Sequence, residues 1–430
     1  MRKASFYTLG CRLNQTESAL IAHGLKAQGY EVTTDKENAD LCVVNSCTVT
    51  GMSDQKCRQM IRQVQKKNPE AIIAVVGCYS QMASEEILEI GGVHLVLGTQ
   101  EKLNLPSYLA QVDMAGEPVV AVGAISRTSF SIDAPTQHLG LTRANLKVQD
   151  GCDFLCSFCI IPQARGRSRS RVLADCLSEA ESLVAADVKE LILTGVNIGC
   201  YQEGPNNFTD LIKSLAALDG LGRLRISSIE PTTVGTEVFE MMAASDHPLV
   251  PHLHLPLQSG SDRVLKAMRR KYDGKGYRDY LESAVQAVPN LGVGTDVIVG
   301  FPGETDAEFL ETYRLLETSA VQYFHVFPYA LRPGTKAAGL DEQLHPSLIQ
   351  ERALALRELG DKKREKFAQQ AVGQTHSVLF ERNGSGTTWN GYTEHYLRVQ
   401  VVSEENLGNQ IRQVKLTGNK GHLGSGVLVG

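Results

Sequence analysis

The stretch Cys152-Asp153-Phe154-Leu155-Cys156-Ser157-Phe158-Cys159 carries three cysteines separated by three and then two residues, directly after a strand-like run at 145–149. A structural zinc site needs four closed ligands, and no fourth Cys or His lies in this loop. Three thiolates suit a cubane iron–sulfur cluster that leaves one iron free for a substrate or cofactor. From the spacing alone, a structural zinc site or a group of reduced cysteines remains the alternative.

This loop resembles the signature of the radical S-adenosylmethionine (SAM) enzymes, including the aromatic Phe158 before the last cysteine. The resemblance implies that the free iron holds the amino and carboxylate groups of SAM. It also implies that an electron from the cluster cleaves SAM to a 5'-deoxyadenosyl radical.

The chain has 430 residues, of which 42% are hydrophobic, and this length suggests three domains. We predict their bounds as 1–135, 136–368 and 369–430. No run of eighteen apolar residues and no signal-like N-terminus occurs, so we expect a soluble, cytoplasmic protein without a membrane partner. Its ten cysteines should then be reduced. The net charge of −5 gives no general preference for nucleic acid.

The first domain alternates strands at 4–9, 41–45 and 71–76 with helices at 17–28, at 53–67 and after Gln81, which predicts a parallel α/β layer. Cys11, Cys47 and Cys78 each follow the end of one strand. Because the carboxyl ends of parallel strands meet at one sheet edge, these thiols can form a second triad. Three unrelated buried thiols are the alternative. We interpret Cys42 and Cys57 as packing residues, whereas Cys176 and Cys200 have no assigned role.

The second domain follows a linker-like segment at 134–137 and repeats a strand-then-helix unit six times. Its strands are predicted at 145–149, 190–193, 223–227, 252–255, 294–299 and 321–327. This pattern predicts a partial TIM-type (βα)6 barrel whose site lies on the carboxyl face of the strands. Polar residues at single strand ends can also be ordinary loop residues. We interpret His252 and His254 as barrel histidines that share one face of a strand, not as metal ligands.

The last domain follows a helix at 346–371 and contains short apolar runs at 376–380, 396–402, 413–416 and 426–429, which predict a small β-barrel. Small barrels often bind RNA. The single tryptophan, Trp389, can either stack on a base or pack in the core.

The full chain resembles the radical SAM methylthiotransferases. The motifs that carry the resemblance are Gly10-Cys-Arg-Leu-Asn-Gln-Thr-Glu-Ser18, Val44-Asn-Ser-Cys-Thr-Val-Thr50, Val76-Gly-Cys-Tyr-Ser-Gln81, Gln149-Asp-Gly-Cys-Asp-Phe-Leu-Cys-Ser-Phe-Cys-Ile-Ile-Pro162, Ala164-Arg-Gly166, Thr194-Gly-Val-Asn197, His254-Leu-Pro-Leu-Gln-Ser-Gly-Ser261 and Gly300-Phe-Pro-Gly-Glu-Thr305. The resemblance implies an N-terminal methylthiotransferase domain, a radical SAM barrel and an OB-like C-terminal barrel called TRAM that binds RNA. Gln163 departs from the family, where an aromatic residue is frequent.

The family scheme implies two 4Fe-4S clusters. Cys152, Cys156 and Cys159 would hold the radical cluster, and Cys11, Cys47 and Cys78 would hold an auxiliary cluster. One SAM would methylate a sulfur on the auxiliary cluster, and a second SAM would become the radical. Predicted SAM contacts are Phe158, Thr194, Gly195, Asn197, Ser228, Glu230, Gln258 and Asp296. Predicted RNA contacts are Arg165, Arg167, Arg169 and Trp389.

Within the family, the branch that methylthiolates threonylcarbamoyladenosine beside the tRNA anticodon matches best, through the motifs at 11–18 and 148–152. The rivals act on isopentenyladenosine tRNA or on a ribosomal-protein aspartate. The ribosomal branch usually has Pro-Lys-Asn where this chain has Arg12-Leu13-Asn14. A non-catalytic iron–sulfur protein that binds RNA or senses redox state is the alternative of another class. The expected partners are tRNA, a sulfur source and a reducing electron donor such as flavodoxin or ferredoxin.

Overall fold

The computed structural model describes residues 1–132, 141–382, 384 and 386–429. The predicted linker at 134–137 and the predicted boundary between 135 and 136 lie outside the described residues. Within the described ranges, the helices are too short or too polar to pass through a bilayer.

The N-terminal domain contains a six-stranded parallel sheet with helices on both faces. In sheet order its strands are Glu31–Thr33, Lys3–Thr8, Leu41–Ser46, Ile72–Gly77, Leu95–Leu97 and Val119–Ala121. Its helices are Arg12–Ala27, Gly51–Lys67, Cys78–Met82, Ser84–Leu88, Glu101–Asn104 and Leu105–Leu109. Alternate residues of the central strands enter two apolar cores, one on each face. The predicted parallel α/β layer is confirmed.

Six parallel strands form the partial barrel of the central domain. In chain order they are Arg143–Lys147, Glu190–Thr194, Arg223–Ile226, His252–His254, Gly292–Val299 and Tyr323–Pro328. The first three and the last three each pair in sequence order, and parallel bridges at Leu224–Leu249 and Ser228–His254 join the two halves. The outer helices are Leu173–Ala185, Phe208–Ala216, Glu237–Ala243, Asp262–Ala267, Gly274–Ala287 and Asp306–Thr318. The prediction of a (βα)6 barrel is confirmed.

The C-terminal domain follows the long helix Pro346–Gln370 and is a closed five-stranded barrel. Its strands are Thr375–Phe380, Thr388–Thr393, Arg398–Val402, Ile411–Lys420 and Leu423–Leu428. The second strand was not predicted because Asn390 and Gly391 interrupt its apolar residues. Trp389 on this strand is buried, and its Nε1 donates to the Ser403 carbonyl at 3.3 Å. The prediction that Trp389 stacks on RNA is therefore wrong, because its ring packs in the barrel core.

The C-terminal barrel is attached to the central barrel through buried arginines. Arg223 donates to the Ser377 carbonyl at 2.7 Å and to the Tyr392 carbonyl at 3.0 Å. Arg225 on the same strand donates to the Glu394 carbonyl at 3.1 Å. These contacts bring the 393–397 turn against the central barrel.

Candidate functional site

The three cysteines after the first barrel strand remain together in the fold. All three thiols are free and half-buried, and the Cys159 backbone N donates to the Cys156 carbonyl at 3.1 Å. Gly151 precedes them with φ +73°, and a Cβ at this position would lie 2.7 Å from the Gly166 carbonyl. Only glycine permits this close approach of the loop to the neighbouring backbone.

The surroundings of these thiols do not favour a free nucleophile. Burial raises the pKa of Cys159 to about 12, and the charges of Cys156 and Cys152 add to that rise. Burial also raises the pKa of Cys156, although Arg270 opposes it by donating to Cys156 Sγ at 3.3 Å. A metal ion deprotonates such thiols outright, whereas a free nucleophilic thiol needs a lowered pKa.

Arg270 is a site residue that the sequence did not indicate. Its guanidinium also donates to Glu230 and to the Tyr272 hydroxyl, the latter at 2.7 Å. Burial raises the pKa of Glu230, and Arg270 counteracts this rise. In the sequence, the run Arg269-Arg270-Lys271 is typical of a solvent-exposed basic cluster. The sequence therefore does not distinguish Arg270, whose side chain is buried, from its exposed neighbours.

Three predicted SAM contacts line one cavity of about 190 Å³ beside the cysteine loop. Its lining residues are Val49, Thr50, Phe158, Cys159, Ile160, Ile161, Gln258, Asp296, Ile298, Phe327, Pro328, Tyr329 and Ala330. Val49 and Thr50 belong to the segment that follows Cys47, so the N-terminal domain closes this cavity. One space is thus bounded by Cys159 and by the loop of the second cysteine triad.

Asp296 is held as a carboxylate in this cavity by two histidines. It accepts hydrogen bonds from His254 Nε2 at 2.9 Å and from His325 Nδ1 at 3.0 Å. Burial raises the pKa of Asp296, but these two contacts bring it below its usual range. His252 instead contacts the Tyr323 hydroxyl through Nε2 at 2.8 Å.

The remaining predicted SAM contacts lie at the ends of the second and third strands. Gln149 Oε1 accepts hydrogen bonds from the backbone N of Val196 and of Asn197, each at 2.9 Å, and so fixes the turn that contains Thr194 and Gly195. The side-chain N and O of Asn197 are buried without a hydrogen-bond partner among the described residues. A buried donor and acceptor without partners fit a polar ligand in this turn. Ser228 is half-buried, and its backbone forms an isolated parallel β-bridge with the backbone of His254.

The cysteines of the second triad lie at the same edge of the N-terminal sheet. Cys11 is exposed at the N-cap of Arg12–Ala27, whereas Cys47 and Cys78 are buried after their strands. A Cβ at Gly10 would lie 2.9 Å from Cys47 Sγ, so the glycine lets the Cys11 loop approach Cys47. Burial raises the pKa of Cys47, and the charges of Cys78 and Cys11 raise it further because the thiols are close.

The other four cysteines have different environments. Cys42 and Cys176 are fully buried in apolar cores. The Cys57 thiol donates to the Cys47 carbonyl at 3.3 Å, so this packing residue also supports the loop of the second triad. Cys200 is half-buried, and burial together with the charge of Cys152 raises its pKa to about 11.

Six buried charged side chains join the N-terminal domain to the cysteine loop: Glu17, Lys102, Lys147, Asp150, Arg165 and Arg169. Glu17 accepts hydrogen bonds from Lys102 at 2.5 Å and from Lys147 at 2.8 Å. Arg165 donates to Glu17 at 3.0 Å and to Asp150 at 3.1 Å, while Arg169 pairs with Asp150 at 3.3 Å. We call this group the buried ion cluster.

The buried ion cluster supports an anionic group at the second triad. Four cations face two carboxylates, and this excess positive charge is removed from water. Burial raises the pKa of Cys78, but the charges of Arg165 and Lys102 oppose that rise. Three thiolates and the metal centre they hold would supply the missing negative charge.

Two of the predicted RNA contacts are buried in the structure. Arg165 and Arg169 are inside the buried ion cluster, so the prediction that they contact RNA is wrong. Arg167 is exposed, pairs with Asp153 at 2.8 Å and remains a predicted RNA contact.

A buried arginine connects the barrel to the second triad. Arg332 follows the last barrel strand and donates to Asp54 and to the Thr48 hydroxyl, next to Cys47. Thr48 also donates to Asp54 at 2.8 Å. These bonds fix the Cys47 loop relative to the cavity.

Glu17→Gln is expected to destabilise the iron-free protein by about 3–5 kcal/mol, because it leaves three buried cations without their central carboxylate. Burial raises the pKa of Glu17, but Arg165, Lys102 and Lys147 lower it well below its ordinary value of 4.5. Its stabilisation is therefore complete above about pH 4.5 and is lost as pH falls towards the lower folded-state pKa. Urea unfolding of both proteins across this pH range measures the difference.

The matched control is Glu37→Gln, which removes an exposed carboxylate paired with Lys67 at 3.1 Å. Its expected cost is less than about 1 kcal/mol. Equal unfolding free energies for the two variants would contradict the role of the buried ion cluster.

Comparison with known proteins assigns the chain to a family. The profile described as uncharacterized protein family UPF0004 matches residues 3–98, and the radical SAM superfamily profile matches residues 146–316. The chain is 39% identical over 425 residues to threonylcarbamoyladenosine tRNA methylthiotransferase MtaB of Bacillus subtilis, covering 97% of this chain and 94% of that protein. MtaB of Aquifex aeolicus is 36% identical, with coverages of 95% and 99%. The tRNA-2-methylthio-N(6)-dimethylallyladenosine synthase of Agrobacterium fabrum is 35% identical, with coverages of 89% and 88%.

Solved structures support the same fold. The radical SAM methyltransferase TsrM of Kitasatospora setae, solved with cobalamin and a [4Fe-4S] cluster, aligns with a TM-score of 0.57 at 16% identity. The alignment covers 78% of this chain and 77% of that chain. Identity of 39% to a methylthiotransferase over 97% of the chain, together with the radical SAM profile match, shows that the chain belongs to the radical SAM methylthiotransferase family, whose members use SAM and two 4Fe-4S clusters.

Proposed function

We propose that this enzyme converts N6-threonylcarbamoyladenosine beside the tRNA anticodon to its 2-methylthio derivative. The observation that carries the reaction is the cavity bounded by Cys159 and by the segment after Cys47. A group transferred from one triad can meet there a substrate activated at the other. The substrate itself is inferred from the relatives named for threonylcarbamoyladenosine tRNA, which match over nearly the whole chain.

Substitution at an adenine carbon breaks an unactivated C–H bond, which no side-chain acid or base can do. When bound, the clusters and SAM supply the radical and the methylthio group. We assign Cys152, Cys156 and Cys159 to the radical cluster. We assign Cys11, Cys47 and Cys78 to the auxiliary cluster.

The protein's own residues then bind and orient the cofactor. In this proposal Phe158, Gln258 and Asp296 hold SAM in the cavity beside Cys159. Asn197 offers its unpaired amide to the same ligand, and Glu230 stays near the loop through Arg270. Hydrogen bonds from His254 and His325 keep Asp296 charged, so it can accept from a ligand hydroxyl or amine.

A second cavity, of about 280 Å³, fits single-stranded RNA and lies between the central barrel, the long helix and the C-terminal barrel. It is lined by Tyr323, His325, Arg364, Phe367, Tyr392, Tyr396, Leu397, Arg398 and His422. Aromatic faces stack on bases and guanidinium groups bind phosphates, and none of these lining residues is acidic. We call this space the junction cavity. His325 lines it and also contacts Asp296 of the first cavity, so a base unstacked into the junction cavity would lie beside the SAM site.

The proposal requires further partners. Reductive cleavage of SAM needs a low-potential electron donor such as flavodoxin or ferredoxin, and product formation consumes a sulfur source. A tRNA substrate and clusters held by thiolates are consistent with a reducing cytoplasm.

The test is the reaction of purified, reconstituted protein with sulfide, SAM and a reductant. Transfer RNA bearing threonylcarbamoyladenosine should gain a methylthio group, detected by nucleoside mass spectrometry. Transfer RNA bearing plain or isopentenylated adenosine should remain unchanged. Preferential methylthiolation of the isopentenylated tRNA would refute the substrate assignment, and absence of SAM cleavage by the reconstituted, reduced protein would favour the rival class of non-catalytic iron–sulfur proteins.

A further inference from the structure

We propose that Arg12 determines substrate specificity by binding the carboxylate carried on the N6 substituent of the substrate adenosine. This inference rests on the proposed function. A threonylcarbamoyl group ends in a carboxylate, whereas an isopentenyl group is uncharged and apolar. A guanidinium fork matches carboxylate geometry, so it can separate these two substrates by charge.

Arg12 has the charge and the access that this role needs. It follows Cys11, which is exposed, and its own side chain is half-buried. Its Nη2 donates to the Tyr396 hydroxyl at 2.6 Å, and the guanidinium lies 5.9 Å from that ring centroid. Within the part of the chain that the structure describes, Arg12 has no carboxylate partner. Its remaining donors are free for an anion.

The two other arginines around Tyr396 are already neutralised. Arg225 lies 4.9 Å from the Tyr396 ring centroid and forms two bonds to Glu190, at 2.8 and 3.0 Å. Arg143 pairs with Glu381 at 2.5 Å. Arg12 therefore carries the uncompensated positive charge of this group.

Tyr396 is positioned as a second donor for the same anion. Its φ of +72° is costly for an aromatic residue, and its ring is held by Tyr392, with centroids 5.0 Å apart at 23°. Its oxygen accepts from Arg12, so the phenol hydrogen remains available to an acceptor. Burial raises the pKa of Tyr396, but Arg12, Arg143 and Arg225 lower it below its ordinary value, which indicates a positive local potential.

The position of this pair suits an N6 substituent. Tyr396 lines the junction cavity together with Tyr323 and His325. His325 in turn contacts Asp296, which lines the first cavity together with Cys159. In the sequence, Arg12 directly follows Cys11 of the second triad. A base bound in the junction cavity would thus place its substituent beside Tyr396 and Arg12, the residue that follows Cys11.

The experiment compares two anticodon stem-loop RNAs that differ only in the carboxylate, one with free threonylcarbamoyladenosine and one with its methyl ester. Equilibrium binding to the reconstituted protein is measured at one salt concentration without SAM, so that no turnover occurs. The wild type should bind the free acid at least about tenfold more tightly than the ester. Arg12→Gln should bring this ratio close to one while leaving affinity for the ester nearly unchanged, and Arg12→Lys should retain part of the ratio.

Arg398→Gln is the matched comparison, because Arg398 lines the junction cavity as an exposed cation. This variant should weaken the binding of both RNAs by the same factor and leave the ratio of their affinities unchanged, as expected for a phosphate contact. If the Arg12→Gln protein binds less iron than the wild type, the Tyr396→Phe variant is measured in its place. This variant should also reduce the ratio of the affinities for the free acid and the ester. A wild-type ratio near one, or a ratio unaffected by Arg12→Gln and Tyr396→Phe, would overturn the inference. Failure of the wild type to methylthiolate the free-acid RNA would instead overturn the proposed function.

Discussion

Replacing Cys152, Cys156 and Cys159 together by alanine is expected to reduce SAM cleavage by the reconstituted, reduced protein to the background rate. The physical reason is location. Cys159 lines the cavity together with Phe158, Gln258 and Asp296, whereas the second triad reaches this cavity only through Val49 and Thr50, which follow Cys47. The measurement is release of 5'-deoxyadenosine from SAM under anaerobic conditions.

The complementary variant replaces Cys11, Cys47 and Cys78 by alanine. It should still cleave SAM but form no methylthiolated tRNA, because in the proposed scheme these three cysteines hold the auxiliary cluster. Cys176→Ala is the control for loss of a buried thiol, since Cys176 packs in the barrel core away from both triads. Loss of SAM cleavage in a folded variant of the second triad would contradict this division of roles.

Iron content should follow the two triads independently. If each triad holds a four-iron cluster, the anaerobically reconstituted wild type binds about eight iron atoms per chain. Each triple-alanine variant should bind about four, because the two triads belong to different domains and share no ligand. Iron and acid-labile sulfide analysis measures this.

The six-cysteine variant, which lacks both triads, should bind almost no iron, and Cys176→Ala should match the wild type. Stoichiometric zinc, or four iron atoms in the wild type after complete reconstitution, would show that one triad is not a cluster site.

The strand ends that precede Cys47 and Cys78 could be predicted from the sequence, because the apolar pattern of a buried strand is a local signal. Strand periodicity located the ends of Leu41–Ser46 and Ile72–Gly77, and parallel topology then brought Cys47 and Cys78 to one edge. The helix Arg12–Ala27 begins five residues before the predicted start. Its first turn, Arg12-Leu13-Asn14-Gln15, lacks a clear apolar stripe, and its N-cap Cys11 makes no side-chain capping bond.

The errors concern burial of charged and aromatic side chains. Arg165 resembles a solvated cation in sequence, but Glu17 and Asp150 from distant segments neutralise it inside the protein. Such ion pairs form only when distant segments pack against each other, and residue spacing along the chain does not predict which segments meet. Arg270 was missed for the same reason, since its partners Glu230 and Cys156 lie on other segments.

The most direct test of the central claim is nucleoside mass spectrometry of tRNA from cells with and without this gene. Cells without it should lose 2-methylthio-N6-threonylcarbamoyladenosine and accumulate N6-threonylcarbamoyladenosine. The wild-type gene should restore the product, and genes for either triple-alanine variant should not. Unchanged levels of this nucleoside, with loss of the 2-methylthio derivative of isopentenyladenosine instead, would contradict the account.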